Sequence, residues 1–304
     1  MIYTVTLNTS LDYVLHVDNL EIGKIHKTNE YNLYPGGKGI NVSQVLKNLG
    51  VESKALGFVA GYTGECLEKM LEDKGITTEF VHLADGITRV NTKIRSTQKS
   101  DKLYETDING AGPKVSDEEK DKLLAQIKLM EMNDILVISG SVPKAVTVED
   151  YSKIIRTAKE QGVKVVADVT GDYLRAALEN GVFLIKPNVE EATDFLDRPI
   201  KSVDDAVLAS KAFKKLGAEN VIISLGELGA VMQTNDDICS MTSPSIKVVN
   251  TVGAGDSMLA GFVAAYANGE SMQDALRLGI CAGSATAAAE GLAGYEEIKR
   301  LMDK

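Results

Sequence analysis

The sequence predicts an α/β protein: a three-layer α/β/α sandwich with a mostly parallel sheet, plus a small β-sheet lid. Three observations carry that prediction. From about residue 53, short apolar runs alternate with longer amphipathic ones, and such a series builds a parallel sheet between two helix layers. Several of the apolar runs end in small or polar residues, which collects polar groups at the carboxyl edge where open sheets bind ligands. Two patches, about 13–34 and 88–109, alternate without helical period and stand outside the series. They read as one small sheet lying across the site as a lid. No internal repeat, low-complexity run or long Pro/Gly linker divides the chain, so 1–304 reads as one domain with that appendage.

Residues 1–7 run apolar like a buried strand, and Asn8-Thr9-Ser10-Leu11-Asp12 ends it, so Asp12 is expected at a strand's carboxyl end. A carboxylate there can accept hydrogen bonds from sugar hydroxyls; a turn-forming Asp is the alternative. Tyr34-Pro35-Gly36-Gly37-Lys38-Gly39-Ile40-Asn41-Val42-Ser43 then leads into an amphipathic helix that stops at Gly50. Glycines at a helix entrance, with Lys38 among them, suit an anion or a ligand lying against backbone. The Walker A spacing is absent, and so is any Gly-x-Gly-x-x-Gly, which leaves a dinucleotide-binding dehydrogenase without its main support.

The series continues with a strand at 54–59 and a helix at 65–74, then strands at 135–139, 163–169, 182–186 and 221–225. Helices are expected over 148–161, 173–180, from 189, and over 203–216. Polar ends follow three of these strands: Ser139-Gly140-Ser141, Lys186-Pro187-Asn188-Val189-Glu190-Glu191, and Ser224-Leu225-Gly226-Glu227-Leu228-Gly229. Asn188 and Glu191, three apart at a helix start, can both face the crevice, where a carboxylate near phosphates would hold Mg²⁺ through water. A solvated first-turn acid is the other reading of Glu191. The small-residue helix Cys281 to Ala289, containing Gly283 and Ser284, would let an adenine lie close, or serve tight helix packing.

The most informative stretch is Val248-Val249-Asn250-Thr251-Val252-Gly253-Ala254-Gly255-Asp256-Ser257. An apolar strand is expected to feed a Gly-Ala-Gly turn that opens a helix, so backbone N–H groups face one concavity and the helix start adds partial positive charge. That makes an anion site. Asp256 beside it would repel a bound phosphate unless it were there to take a proton, and an anion hole beside a base means phosphoryl transfer to a hydroxyl. The plain alternative is a tight strand-to-helix turn with Asp256 as an ordinary N-cap.

Composition narrows the function classes. A formal charge of −10 and a pI near 5.0 argue against nucleic acid. No run of 18 apolar residues and no basic leader occurs, so a soluble, cytoplasmic protein without a membrane partner is expected. Cys66, Cys239 and Cys281, with His16, His26 and His82, supply neither a disulfide framework nor a zinc site.

Gly36-Gly37-Lys38-Gly39-Ile40-Asn41-Val42 resembles the first signature, and Asn250 to Ser257 the second, of the ribokinase-like, phosphofructokinase B type sugar kinases. The likeness runs the whole chain in order, through Thr6 to Asp12, Ile138 to Pro143, Lys186-Pro187-Asn188 and Ser224-Leu225-Gly226. Lys38 and the segment Glu105 to Pro113 look most like the branch that phosphorylates fructose 1-phosphate, with tagatose-6-phosphate kinases close behind. The resemblance implies a ribokinase-like fold and ATP-dependent phosphorylation of a primary hydroxyl of a ketose phosphate, with Mg²⁺. It implies Asp256 as base and the backbone of Gly253, Ala254 and Gly255 around the transferring phosphoryl group. Asp12, Gly37 and Asn41 would hold the sugar, and Lys24, Lys38, Arg89 and Ser139 its existing phosphate. Lys186, Asn188, Ser224, Gly226 and Gly229 would line the nucleotide, with Gly283 and Ser284 near the adenine and Glu191 supporting Mg²⁺. Two positions depart from the pattern. Thr9 replaces the family's Pro, which would loosen the turn, and Asn250 stands where ribokinases carry an Asp linked to a monovalent cation, so potassium dependence is left open.

A non-catalytic sugar-phosphate or nucleotide sensor is the rival in another class, and Asp256 discriminates, because a pure binder has no use for an acid beside phosphate. The lid's apolar face needs a partner, so a homodimer through the lids is expected.

Overall fold

The computed structural model describes residues 1–97 and 103–303. Its strands are β1 (Ile2–Thr6), β2 (Ser10–Asp18), β3 (Tyr31–Gly36), β4 (Ser53–Ala60), β5 (Thr77–Thr78), β6 (Val81–Leu83), β7 (Arg89–Thr97), β8 (Leu103–Ile108), β9 (Ile135–Ser139), β10 (Lys164–Asp168), β11 (Val182–Ile185), β12 (Ala218–Ser224), β13 (Ala230–Gln233) and β14 (Ile238–Met241). Its helices are α1 (Lys38–Asn48), α2 (Gly61–Asp73), α3 (Asp117–Ile127), α4 (Val148–Glu160), α5 (Gly171–Asn180), α6 (Val189–Leu196), α7 (Val203–Leu216), α8 (Ala254–Ala267), α9 (Met272–Ala287) and α10 (Tyr295–Met302).

The main sheet runs β14-β13-β12-β11-β10-β9-β1-β4-β5, with β6 also paired to β4. Its pairings are parallel from β12 through to β5, and β13 and β14 add an antiparallel hairpin at one edge. That hairpin, together with β5, β6, α3 and α10, goes beyond the elements expected from the sequence, whereas the strand expected just before Gly253 does not form and the chain between β14 and α8 is irregular. Central strands are apolar on both faces. Leu136 and Ile138 of β9 join one core with α3, α4, α5 and α7, while Ile135 and Val137 join the opposite core with α1, α8, α9 and α10. This two-sided burial is why these runs carry no polar alternation. From β1 the chain moves one way to β4 and β5, and β9 to β12 extend the other way, so a switch-point crevice opens beside β1 and β9 at the carboxyl edge.

The second sheet, β3-β2-β7-β8, comes from the two patches set apart in the sequence. β2 pairs β3 antiparallel and β7 parallel, and β7 pairs β8 antiparallel. Alternation sorts its faces. Asp12, Val14, His16, Asn32, Tyr34, Lys93 and Arg95 line a cavity of about 560 Å³ against α1. Register places Tyr13, Leu15, Tyr31, Leu33, Val90 and Ile108 on the other face. Two boundaries differ from expectation. Asp12 is not the end of the first strand but the third residue of β2, because the polar stretch after Thr6 turns directly into the lid. β3 runs through Tyr34-Pro35-Gly36, with Pro35 tolerated because β3 is an edge strand.

Candidate active site

The carboxyl ends of β1, β9, β10 and β11 and the N-termini of α1 and α8 converge on one cluster of charges. Asp256 lies in the first turn of α8 and is buried. Burial foremost, then the negative charge of Asp168, pushes its carboxyl up to about 6, against the opposing pull of a hydrogen bond from Asn41 and the charges of Lys38 and Lys186. Asn41 Nδ2 donates to Asp256 Oδ2 at 2.8 Å, which orients the carboxylate from one turn inside α1.

Gly253 is the N-cap of α8 with φ 79°, a left-handed conformation that favours glycine. The first-turn amides of a helix lack intrahelical partners. That of Ala254 donates to the carbonyl of Thr251 at 3.2 Å, so the amides of Gly255 and Asp256 are the ones left to an incoming anion. A side chain at Gly255 would come within 3.3 Å of Lys186 Nζ, so the lysine sits over this turn.

Asp168, at the carboxyl end of β10, organises the cations and was not singled out from the sequence. Its Oδ1 is 3.4 Å from Lys186 Nζ, and its Oδ2 lies 3.4 Å from Lys38 Nζ and accepts from Ser139 Oγ at 3.0 Å. Burial alone would raise this carboxyl, but Lys186, Lys38 and the Ser139 bond outweigh it and hold it below the ordinary carboxylate range. Lys38 also reaches Glu191 Oε1 at 3.7 Å, and Asp168, with Asp256 and Glu191 adding, holds its ammonium above the usual lysine range against the cost of burial.

Glu191 is a first-turn acid of α6 that also borders the crevice. Asn188 caps α6 by accepting from the Glu191 amide at 2.8 Å, while Glu191 Oε2 accepts from the Asn188 amide at 3.0 Å in a capping box. The other oxygen faces Lys38 in the crevice. Among the described residues no three His, Cys, Asp or Glu side chains gather as a metal cage. The donor set therefore fits an ion carried in on phosphates and met by Glu191 through water, not a resident metal.

The residues expected to hold the acceptor lie toward the lid. Asp12 Oδ1 accepts from Ser10 Oγ and Asn91 Nδ2, both at 2.9 Å, and Gly36 passes so close that a side chain there would collide with Asp12 and Ser10. Gly37 has φ 115° and packs on Thr6. Arg89 Nη2 donates to the Asn8 carbonyl at 2.9 Å and Ser141 Oγ at 3.3 Å, and Nη1 to the Gly110 carbonyl at 3.4 Å. These partners are all neutral, and burial lowers the guanidinium's proton affinity.

Several expected members sit elsewhere. Ser139 faces Asp168, and Ser141, two residues on, is the serine that Arg89 reaches. Lys24 is exposed in the connection after Asp18, at the opposite end of β2 from Asp12, and the structure does not bring it to the cluster. Lys47, Lys74, Lys93 and Arg95 line the cavity under the lid instead, three of them paired with Glu52, Asp107 and Glu105 and Lys74 bonded to Gln44 Oε1.

Among the residues expected at the nucleotide, the Ser224 amide donates to the Pro187 carbonyl at 3.1 Å, tying two strand ends together. Gly226 (φ 61°) and Gly229 (φ 93°) bound a single 3₁₀ turn, and Gly229 abuts the backbone of Met241. Gly283 is explained by packing, since a side chain there would press on the Ala254 carbonyl and Met258 of α8; Ser284 is buried beside it in α9. Thr9 does not loosen its turn, because its hydroxyl donates to the Phe58 carbonyl of β4. Asn250 Oδ1 accepts from the Val252 amide at 3.0 Å and its Nδ2 donates to the Glu290 carbonyl at 3.3 Å.

The description "pfkB family carbohydrate kinase" matches residues 5–298. The chain belongs to that family. It is 41% identical over 302 residues to the 1-phosphofructokinase of Bacillus subtilis (strain 168), covering 99% of this chain and 97% of that protein. To the D-tagatose-1-phosphate kinase of Bacillus licheniformis it is 36% identical over 305 residues, covering 100% and 98%. Phosphofructokinase-2 from Escherichia coli, solved in complex with fructose-6-phosphate, superposes with a TM-score of 0.91 at 30% identity, covering 99% and 98%. Arabidopsis thaliana ribokinase, with a TM-score of 0.80 at 19% identity over 100% and 98%, shows that the fold is ribokinase-like. The kinase is thus a phosphotransferase with an alcohol acceptor, as its anion turn and adjacent carboxylate require.

Proposed function

We propose that this kinase transfers the γ-phosphoryl group of ATP to a primary hydroxyl of a ketose phosphate, chiefly fructose 1-phosphate, giving fructose 1,6-bisphosphate. The single observation that carries the reading is Asp256: a buried carboxyl raised to about 6, on the same helical turn as the free amides of Gly255 and Asp256. A sensor has no need of that pairing. The acceptor hydroxyl gives its proton to Asp256 as its oxygen bonds to the γ-phosphorus, the β,γ-bridging bond breaks, and ADP leaves. The amides at the start of α8 and Lys186 balance charge on the group in flight. Mg²⁺ bound on the nucleotide would supply further neutralisation, with Glu191 its water-mediated protein contact. Arg89, half-buried with neutral hydrogen-bond partners and no carboxylate in direct ion-pair contact, although Asp12 acts on it at longer range, supports an acceptor that already carries a phosphate.

Tagatose phosphate is the second reading, favoured by the 36% identity to a D-tagatose-1-phosphate kinase. ADP release measured side by side with fructose 1-phosphate, tagatose 1-phosphate, tagatose 6-phosphate, fructose 6-phosphate and ribose decides it. The highest kcat/KM is expected for fructose 1-phosphate and ribose should be nearly inert; ribose as the best substrate refutes the phosphate-bearing acceptor.

We also place the lid in a homodimer. Its outer face exposes Tyr31 (61%) and Ile108 (60%) along with Leu33 and Val90, apolar side chains that a second lid would cover. Light scattering that finds a monomer at working concentration refutes it. Among the described residues no helix is long and apolar enough to cross a membrane, and a cytoplasmic location is part of this reading.

A further inference from the structure

We infer that Lys38 serves the phosphoryl group being transferred, not the phosphate already on the acceptor. The inference rests on the kinase reading above but not on which sugar is used. Lys38 is the first residue of α1, with Gly37 as N-cap, so its backbone belongs to the acceptor loop. Its side chain turns away from that loop. The ammonium lies 3.4 Å from Asp168 and 3.7 Å from Glu191, while Lys186, which sits over the α8 turn, shares Asp168 from its other oxygen. The two lysines therefore flank one carboxylate on the nucleotide side of Asp256. Arg89 is held by a different set, Asn8, Ser141 and Gly110, on the far side of the β1 end. None of these three is a recorded partner of the Lys38 ammonium among the described residues. The cavity under the lid, which reaches Asp12 and Asn41, is lined by neither Lys38 nor Lys186.

The chemistry suits that position. As the acceptor oxygen bonds to phosphorus and the bridging oxygen departs with ADP, negative charge spreads over the three equatorial oxygens of the phosphoryl group. Amides at the start of α8 and Lys186 meet that charge from one side. Lys38, reaching in from the acceptor loop, meets it from the other, releasing Asp168 and Glu191 as it does so. A cation rooted in the acceptor loop and aimed at the donor also links acceptor docking to the alignment of the two reacting atoms.

Three variants and two readouts test this. Binding of ATP and of ADP, each with Mg²⁺ and without acceptor, is measured by calorimetry for wild type, Lys38→Ala, Lys38→Arg and Arg89→Ala. Steady-state kinetics with fructose 1-phosphate follow on the same proteins. A charge-assisted contact made to the γ-phosphate alone is expected to be lost in Lys38→Ala, cutting the preference for ATP over ADP by roughly 10- to 100-fold. kcat should fall by about 10²-fold or more, and KM for fructose 1-phosphate should stay within about threefold of wild type. Lys38→Arg should keep most of the ATP preference. Arg89→Ala should do the reverse, raising KM for the sugar phosphate and leaving the nucleotide preference intact. An unchanged ATP preference in Lys38→Ala overturns the inference, whether or not KM rises; a raised KM would return Lys38 to the acceptor's phosphate. Because the nucleotide arm contains no sugar, it stands even if wild type turned over none of the sugars, which would refute the proposed substrate instead.

Discussion

Replacing Asp168 with Asn should do two separable things, and the structure supplies the size of each. The Asp168 side chain is 3% exposed and that of Lys186 5%, so the substitution leaves a buried ammonium without its counter-charge, and loosens Lys38 as well. Removing one member of a buried pair costs about 3–5 kcal/mol, a large part of the roughly 5–15 kcal/mol that holds a native protein together. At about 2–4 °C per kcal/mol, the melting temperature of the ligand-free protein should drop by roughly 6–20 °C. The second effect runs through Asp256, whose carboxyl is raised by burial and then by the charge of Asp168. Without that charge the folded-state pKa of Asp256 falls from about 6 toward its ordinary value. Since Asp256 must be ionised to accept the proton, the acid limb of kcat/KM should move to lower pH in Asp168→Asn even as the rate drops. Differential scanning calorimetry and a pH–rate profile from about pH 5 to 9 measure the two. An unchanged melting temperature would show that the pairs with Lys186 and Lys38 contribute nothing. An acid limb that stayed put or moved up would show that Asp168 does not set the affinity of Asp256 for protons.

Asp256→Asn should bind both substrates with near-native affinity while kcat falls by roughly 10² to 10⁴, the usual worth of a positioned base; near-native turnover would remove Asp256 from the mechanism. In the unmodified enzyme kcat/KM should decline as pH falls through about 6, where Asp256 gains its proton, and a limb near pH 4 would contradict its burial. Gly37→Ala should destabilise by roughly 1–3 kcal/mol in urea melts, because φ of 115° disfavours any side chain and its Cβ would stand 2.6 Å from Thr6 Cγ2. Unaltered stability would mean that the loop can shift at little cost.

Much of the site could be read in the chain because its chemistry is concentrated in two glycine loops. Asp256 can be read from its own loop and Asn41, 215 positions away, comes in by resemblance, and the structure joins them at 2.8 Å. Asp168 was passed over although the expected 163–169 strand contains it; one acid after an apolar run looks like a turn-former, and only the neighbouring lysines, from distant segments, reveal its use. Ser139 and Ser141 show a different limit. Residues two apart at the end of a strand share a face only while the strand persists, and Gly140, with φ 103°, ends it and swings Ser141 toward Arg89. α3 had a legible start, Ser116 with Glu119 as a capping box, which the lid patch just before it obscured. Lys24 was grouped with the acceptor cations by resemblance alone, and strand register is what puts it beyond the distal end of the lid.

The cluster holds three carboxylates, Asp168, Glu191 and Asp256, against two ammoniums, Lys38 and Lys186, and that imbalance is resolved at the proposed base. Asp168 keeps its charge because both lysines attend it, and Glu191 stays half-exposed at a helix start that favours an acid. Asp256, buried and attended mainly by the neutral amide of Asn41, absorbs the excess as a raised proton affinity. When phosphate enters and draws the lysines toward itself, the field of Asp168 on Asp256 is less compensated, and the phosphate's own charge adds to it. Both changes strengthen Asp256 as a base when the acceptor hydroxyl lies against it. The arrangement that makes the carboxylate costly to ionise in the resting protein therefore makes it a better proton acceptor once both substrates are in place.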